Sequence, residues 1–248
     1  MKIPEPDRSL LKAHLWDIWE RLETDQKKGL IHPPLQKSIS DETVLIDLVP
    51  VSEFSIGGIT LLDTFKRRRS LRTFTSQPLN LEELSFLLWA TQGVHAIIQD
   101  GSTSRRTVPS AGSRHPFETY LLVHRVTGLE VGVYRYRAIE HQLVQLYTDS
   151  DLPEKSRSAC SSFAGAAAVV FAWTVLPYRT EWRYGAISPK LIAQDAGHVC
   201  QNLYLAVEAI EAGTCAVDAY DQDEMDALLQ VDRLDEFTIY CAPVGKAR

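Results

Sequence analysis

The sequence is poor in cysteine: four in 248 residues, Cys160, Cys200, Cys215 and Cys241, with no CxxC pair. That spacing gives no disulfide framework and reads as reduced thiols in a cytoplasmic protein. No apolar run reaches the roughly 18 residues needed to cross a bilayer. The longest, Ala164 to Val175, suits a buried strand. The N-terminal stretch through Leu22 lacks the unbroken apolar core of a signal peptide. P-loop, GxGxxG, GxSxG and HExxH motifs are all missing, and the seven histidines form no close ligand pair. These absences argue against a Rossmann dehydrogenase, an elbow-type serine hydrolase and a metal site. A net charge of −6 and a pI near 5.7 argue against nucleic-acid binding.

What remains is ordinary globular composition, 45% hydrophobic and 23% charged, enough for a sizeable core in one large or two small domains. Ser9 to Glu23 reads as an amphipathic helix carrying Leu11, Leu15, Ile18 and Leu22, with Trp19 beside them. Leu30 to Val51 reads as irregular. A helix is expected from Thr60 to Arg69, burying Leu61, Leu62 and Phe65. Asn80, with Glu83 at N3, opens another that stops near Gly93. Gln99 to Thr107 reads as a mobile loop. Strands are expected over Glu118–Val126, Ala166–Val175 and Phe237–Ala242, and a hairpin joins Val131–Arg137 to Gln142–Tyr147. Ser188 and Pro189 start a long helix to Ala212, followed by Gly213. Its Ala193, Gly197 and Ala209 are small enough for another backbone to approach. Asp221 caps a short helix to Gln230. Helices and strands mix without regular alternation, which favours α+β.

Three segments carry chemistry. Lys66 to Arg72 packs five cations into seven residues of an acidic chain. A bound anion would compensate them, with Ser70 adding a hydroxyl and Arg68 and Arg72 adding guanidinium forks. The same block also reads as a solvated helix end favoured by the helix dipole. Pro109-Ser110-Ala111-Gly112-Ser113 forms a rigid turn of small residues that can lie flat on a planar ring or grip an anion, or is a plain loop before a strand. Lys246 and Arg248 alternate after the last strand, so they share a face of an extended chain, or form a basic tail. Pro177 to Gly185 reads as polar-aromatic and irregular, and Trp173, Tyr178, Trp182 and Tyr184 read as a substrate wall or as a flap over the core.

In this order the segments resemble the nitroreductase superfamily, and within it the SagB-type branch that includes azoline oxidases. The resemblance rests on Arg68-x-Ser70-x-Arg72-x-Phe74, on Leu87 to Gly93 followed by Pro109 to Gly112, and on Asp195-Ala196-Gly197-His198 through Leu203. It covers residues 60–248 and leaves residues 1–59 as a helical and irregular extension. It implies a three-layer α+β fold, a mainly antiparallel sheet flanked by helices, in an intertwined homodimer. It also implies an FMN-dependent oxidoreductase transferring hydride to or from a small molecule or modified peptide, with NAD(P)H or oxygen as the second redox partner.

Carried over by position, Arg68, Arg69, Ser70 and Arg72 would bind the FMN phosphate and ribityl chain, and Lys246 and Arg248 would complete that site. Pro109, Ser110, Ala111, Gly112 and Ser113 would pack on the ring from the partner subunit. Asp218 and Ala219 would line its other face. Arg183 and Tyr184 would be the catalytic pair. Azoline oxidases have Lys-Tyr there, and a guanidinium is no base, whereas Tyr184 can donate or relay a proton. Two rivals share the segments: a non-catalytic flavin binder, and a cofactor-less interaction module of a biosynthetic complex.

Overall fold

The structure is a computed structural model describing residues 8–40, 44–99 and 101–247. Along the chain run β1 (Val44–Asp47), α1 (Leu61–Arg67), α2 (Leu81–Gln92), β2 (Val94–Ile98), β3 (Thr103–Arg106), β4 (Phe117–Val123), β5 (Gly132–Arg137) and β6 (Gln142–Thr148). Then come α3 (Leu152–Ala159), β7 (Val169–Val175), α4 (Tyr178–Tyr184), α5 (Ser188–Ala206), β8 (Ala212–Thr214), α6 (Gln222–Leu229) and β9 (Phe237–Lys246). Seven strands form one sheet in the order β1-β6-β5-β4-β7-β9-β8, and each neighbouring pair is antiparallel.

Strand periodicity explains the layers. Every residue of β4 and β7 is buried, so both faces of the sheet are covered. Phe117, Leu121 and Val123 of β4, with Val169, Phe171, Trp173 and Val175 of β7, join one core with Leu84, Leu87 and Leu88 of α2 and Ile192, Val199 and Leu203 of α5. The alternating residues Tyr120, Leu122, Val170 and Ala172 face a second core with Leu152 of α3 and Met225 and Leu229 of α6. The result is the expected three-layer α+β arrangement. Each large side chain buried this way contributes about 1.5–3 kcal/mol.

Local signals set the helix starts. The Asn80 side chain accepts from the Glu83 amide at 2.8 Å, and Glu83 accepts from the Asn80 amide at 2.9 Å, so the expected capping box forms. Thr60 and Asp221 cap α1 and α6 through the amides of Asp63 and Glu224. The α5 helix ends at Ala206 and tightens into a 3-10 turn, Val207–Ile210, because Glu211 turns left-handed to enter β8. It is therefore shorter than expected.

Four expectations change. Gln99 to Thr107 is no simple loop, because Thr103–Arg106 pairs with β2 in a hairpin held by backbone bonds that its polar side chains do not announce. Pro177 to Gly185 contains the helix α4, and Arg179 anchors its start to Glu118 of β4 by a buried ion pair at 2.5 Å. The N-terminal amphipathic helix is instead two 3-10 stretches, Ser9–Leu11 and His14–Arg21, and Leu11, Leu15 and Ile18 of its expected apolar stripe are exposed. Leu61, Leu62 and Phe65 are 63%, 62% and 56% exposed, since nothing among the described residues covers that face of α1. No described helix is long and apolar enough to cross a membrane.

Candidate functional site

Two groups of the expected residues come together, at different places along α5. The first surrounds Tyr204. Its ring lies 5.5 Å beneath the Arg68 guanidinium. Its hydroxyl accepts from the Ala216 amide at 2.8 Å and stands 3.1 Å from Ser70 Oγ. A backbone bridge between Ser70 and Thr214 fixes the cationic segment beside β8. Asp218 and Ala219 are exposed and follow directly after Val217, which pairs with Cys241 of β9. One chain therefore unites Arg68, Ser70, Tyr204 and the 216–219 segment.

The electrostatics of this group are unbalanced. Lys66 pairs with Asp63 at 4.0 Å, but among the described residues no carboxylate forms an ion pair with Arg67, Arg68, Arg69 or Arg72. The arginines act on the carboxylate of Glu208. Burial raises its pKa, and Arg67, Arg68 and Arg69 oppose the rise. Arg69 turns its guanidinium onto the carbonyls of Lys66, Arg67 and Arg68, whereas Arg72 is exposed. Such a cradle suits a multiply charged anion.

Lys246 does not add a free cation to it. Its buried ammonium pairs with Glu83 and donates to the Ile210 carbonyl at 2.6 Å. The last strand runs on to Lys246 rather than stopping at Ala242 as expected, and the partner of Lys246 comes from the α2 capping box, far away in sequence. Arg248 lies outside the described residues.

The second group is built on Asp195. Its carboxylate accepts from the Ser110 hydroxyl at 2.5 Å and from the Ala111 amide at 3.1 Å. The Ser110 oxygen accepts in turn from the His115 amide at 2.9 Å. Burial raises the Asp195 pKa, and these donors with His198, at 3.8 Å, oppose the rise. So held, Pro109 to Ser113 turns left-handed at Gly112 (φ 57°) and Ser113 (φ 53°). A Cβ on Gly112 would stand 2.6 Å from the Tyr184 hydroxyl and 2.9 Å from the Arg183 side chain. The loop and the pair Arg183-Tyr184 thus form a single surface in one chain.

That surface is electropositive. Arg114 lies under the loop, donating to Gly112 O at 3.3 Å and Ser102 O at 2.7 Å, and stacks 5.1 Å from Trp182. Burial, and then the nearby Arg183, lower its pKa. Arg183 Nε is buried without a partner among the described residues. A phenol beside two guanidiniums can donate a proton to an electron-rich substrate. The aromatic wall expected here is only partial. Trp173 is a core residue 1% exposed, Trp182 is buried under Arg114, and Tyr178 and Tyr184 stand at opposite ends of α4.

At about 1.5 Å of rise per residue, the nine steps from Asp195 to Tyr204 separate the two groups by roughly 14 Å along α5. Sequence reading missed Asp195 and Tyr204 as site residues. The aspartate had a signal, since it is a charged residue on the buried side of α5. The tyrosine had none.

Known proteins share this fold. The chain is 32% identical over 206 residues to MJ1384 of Methanocaldococcus jannaschii, which bears a nitroreductase name, across 83% of this chain and 98% of that one. It is 27% identical over 143 residues to the trifolitoxin-processing protein TfxB of Rhizobium leguminosarum bv. trifolii, across 53% of this chain but 37% of TfxB. A crystal structure from Anabaena variabilis, described as that of a nitroreductase, superposes with a TM-score of 0.67 at 25% identity, over 86% of this chain and 45% of that one. This chain thus spans less than half of the last two proteins. The Nitroreductase family model matches residues 65–246, and the chain belongs to that family.

Proposed function

We propose that this nitroreductase-family oxidoreductase uses FMN and belongs to the SagB-type branch, acting on a small molecule or a modified peptide. The observation that carries the reading is the cradle of Arg68, Arg69 and Arg72, which lacks paired carboxylates among the described residues and is ordered by the Tyr204 hydroxyl. A near-dianionic phosphate fits that charge. Arg68 and Arg72 would hold the phosphate, Ser70 the adjoining chain, and the 216–219 backbone one face of the ring. Arg69 would act through its backbone, because its side chain is engaged. Lys246 would serve the fold by neutralising Glu83. Bound there, FMN would supply two-electron hydride chemistry that side chains lack.

The chain's own residues supply the rest. Tyr184 donates or relays a proton at its phenolic oxygen. Arg183 and Arg114 favour negative charge on a substrate beside it. Asp195 holds Ser110 and Ala111 so that Gly112 stays against the pair. In our reading the Pro109–Ser113 loop acts on the cradle of a second copy, giving a homodimer. The exposed face of α1 and the open Ala193–Gly197 side of α5, where a Cβ on Gly197 would meet nothing within 4 Å, support that assembly. The peptide alternative draws support from the likeness to TfxB. NAD(P)H or oxygen would be the second redox partner.

The test is the visible spectrum of the purified protein, followed by identification of any released flavin. Stoichiometric FMN is expected, and Arg68→Ala should lose FMN far more than riboflavin, which has no phosphate. A protein that stays colourless after FMN reconstitution overturns the reading.

A further inference from the structure

The N-terminal segment is tied to α4 at several points. The Gln26 amide donates to the Trp182 carbonyl at 2.8 Å, and Trp182 Nε1 donates to the Leu30 carbonyl at 3.0 Å. The Tyr178 hydroxyl donates to Asp25 at 3.0 Å, and Lys190 of α5 reaches back to the Leu11 carbonyl at 2.7 Å. Buried Thr24 packs at Gly185, the left-handed residue just after Tyr184. Lys27 draws together the carbonyls of Trp19, Glu20 and Leu22 at 2.8–3.0 Å, closing the end of the 3-10 stretch.

These ties deliver one side chain to the candidate chemistry. The Trp16 ring meets Tyr184 edge-on, 6.0 Å between centroids at 71°. Trp19 braces it from behind at 5.9 Å. Trp16 remains 43% exposed, whereas Tyr184 is 8% exposed. A tryptophan serving only as a core anchor would be buried. This one leaves a free indole surface next to the least accessible member of the pair.

We propose that residues 8–32 form a wall of the substrate pocket, and that Trp16 is a specificity-determining residue favouring planar aromatic or conjugated substrates. The inference rests on Tyr184 belonging to the active site. An indole beside the reacting group stacks on a flat substrate and contributes nothing comparable to a small compact one. Stacking made equally in the ground and transition states is uniform through the reaction, so its loss raises KM more than it lowers kcat.

The experiment compares the wild type, Trp16→Ala, Trp16→Phe and Tyr184→Phe, each loaded with FMN and checked for flavin content and thermal midpoint. The acceptors are menadione, which is planar, and ferricyanide, which is not. Binding of benzoate, followed as a perturbation of the flavin band, reads the pocket without turnover. Trp16→Ala should raise the menadione KM and the benzoate Kd about tenfold and lower the menadione-to-ferricyanide preference by a similar factor. Trp16→Phe should restore most of both. Unchanged menadione KM and benzoate Kd in Trp16→Ala, with Tyr184→Phe impaired, overturn the role of Trp16 alone. A fully active Tyr184→Phe, or a wild type that takes up no flavin, overturns the underlying reading and this inference with it.

Discussion

The Asp195 carboxylate accepts the Ser110 hydroxyl at 2.5 Å, so a residue of α5 sets the position of a loop eighty-five residues earlier. Because Ala111 also donates to it, Asp195→Ala removes the acceptor for two donors. The expected cost is about 2–3 kcal/mol, since a hydrogen bond to a charged group contributes about 1.5–3 kcal/mol. Asp195→Asn retains one acceptor oxygen and should lose less. Chemical denaturation of both variants checks the order, and equal losses would contradict it.

Gly112→Ala should be costly for two separate reasons. Its φ of 57° lies in the left-handed region, and the new Cβ would meet Tyr184 and Arg183. Strain of this kind costs about 1–3 kcal/mol. Activity should fall further than stability does, because the displaced atoms belong to the catalytic candidates. Turnover measured well below the thermal midpoint separates the two effects.

Tyr204→Phe leaves the Ala216 amide without its acceptor and frees Ser70. A loss of about 1–2 kcal/mol in stability is expected. If the cradle holds phosphate, FMN affinity should weaken while riboflavin affinity changes little. Fluorescence titration with both ligands decides this.

Lys246→Met should destabilise by about 3–5 kcal/mol, because it leaves Glu83 charged and buried at the α2 cap. Combining it with Glu83→Gln should recover much of the loss. FMN affinity of the folded double variant should match the wild type. A large drop in affinity there would return Lys246 to the phosphate site.

Two buried histidines make stability depend on pH. Burial lowers the pKa of His115 to about 3 and of His124 to about 4, against an ordinary value of 6.5. Ring hydrogen bonds fit the neutral form: one nitrogen of His124 donates to the Ala167 carbonyl at 3.2 Å, and the other accepts from Ser156 at 2.8 Å. Below pH 6.5 the unfolded chain takes up protons that the folded chain refuses. Stability is therefore full above that pH and is lost as pH falls toward 4 and then 3. Each histidine contributes up to about 1.4 kcal/mol per pH unit. Urea midpoints at pH 7.5 and 5 test the sign, and His124→Gln should flatten the slope.

Much of this was legible because it is local. The Asn80–Glu83 box, the Asp221 cap, the hairpin from β5 to β6 and the apolar β7 each have their cause within a few residues. Pairings between distant segments were not legible. Nothing near Lys246 announces Glu83, and nothing in Gln99 to Thr107 announces a partner strand. The α1 face was misjudged for a related reason. Leu61, Leu62 and Phe65 have the spacing of a buried stripe, but periodicity says only that a face is apolar, not which chain covers it.

The roughly 14 Å between the Asp195 and Tyr204 groups along α5 has a consequence for handling the protein. On the two-copy reading, neither group completes a pocket within its own polypeptide. Pigment and turnover would then follow mass action. Dilution would bleach the sample and silence it together, with no residue altered. Mixing two inactive variants, one damaged in the cradle and one in the loop, would return a fraction of both.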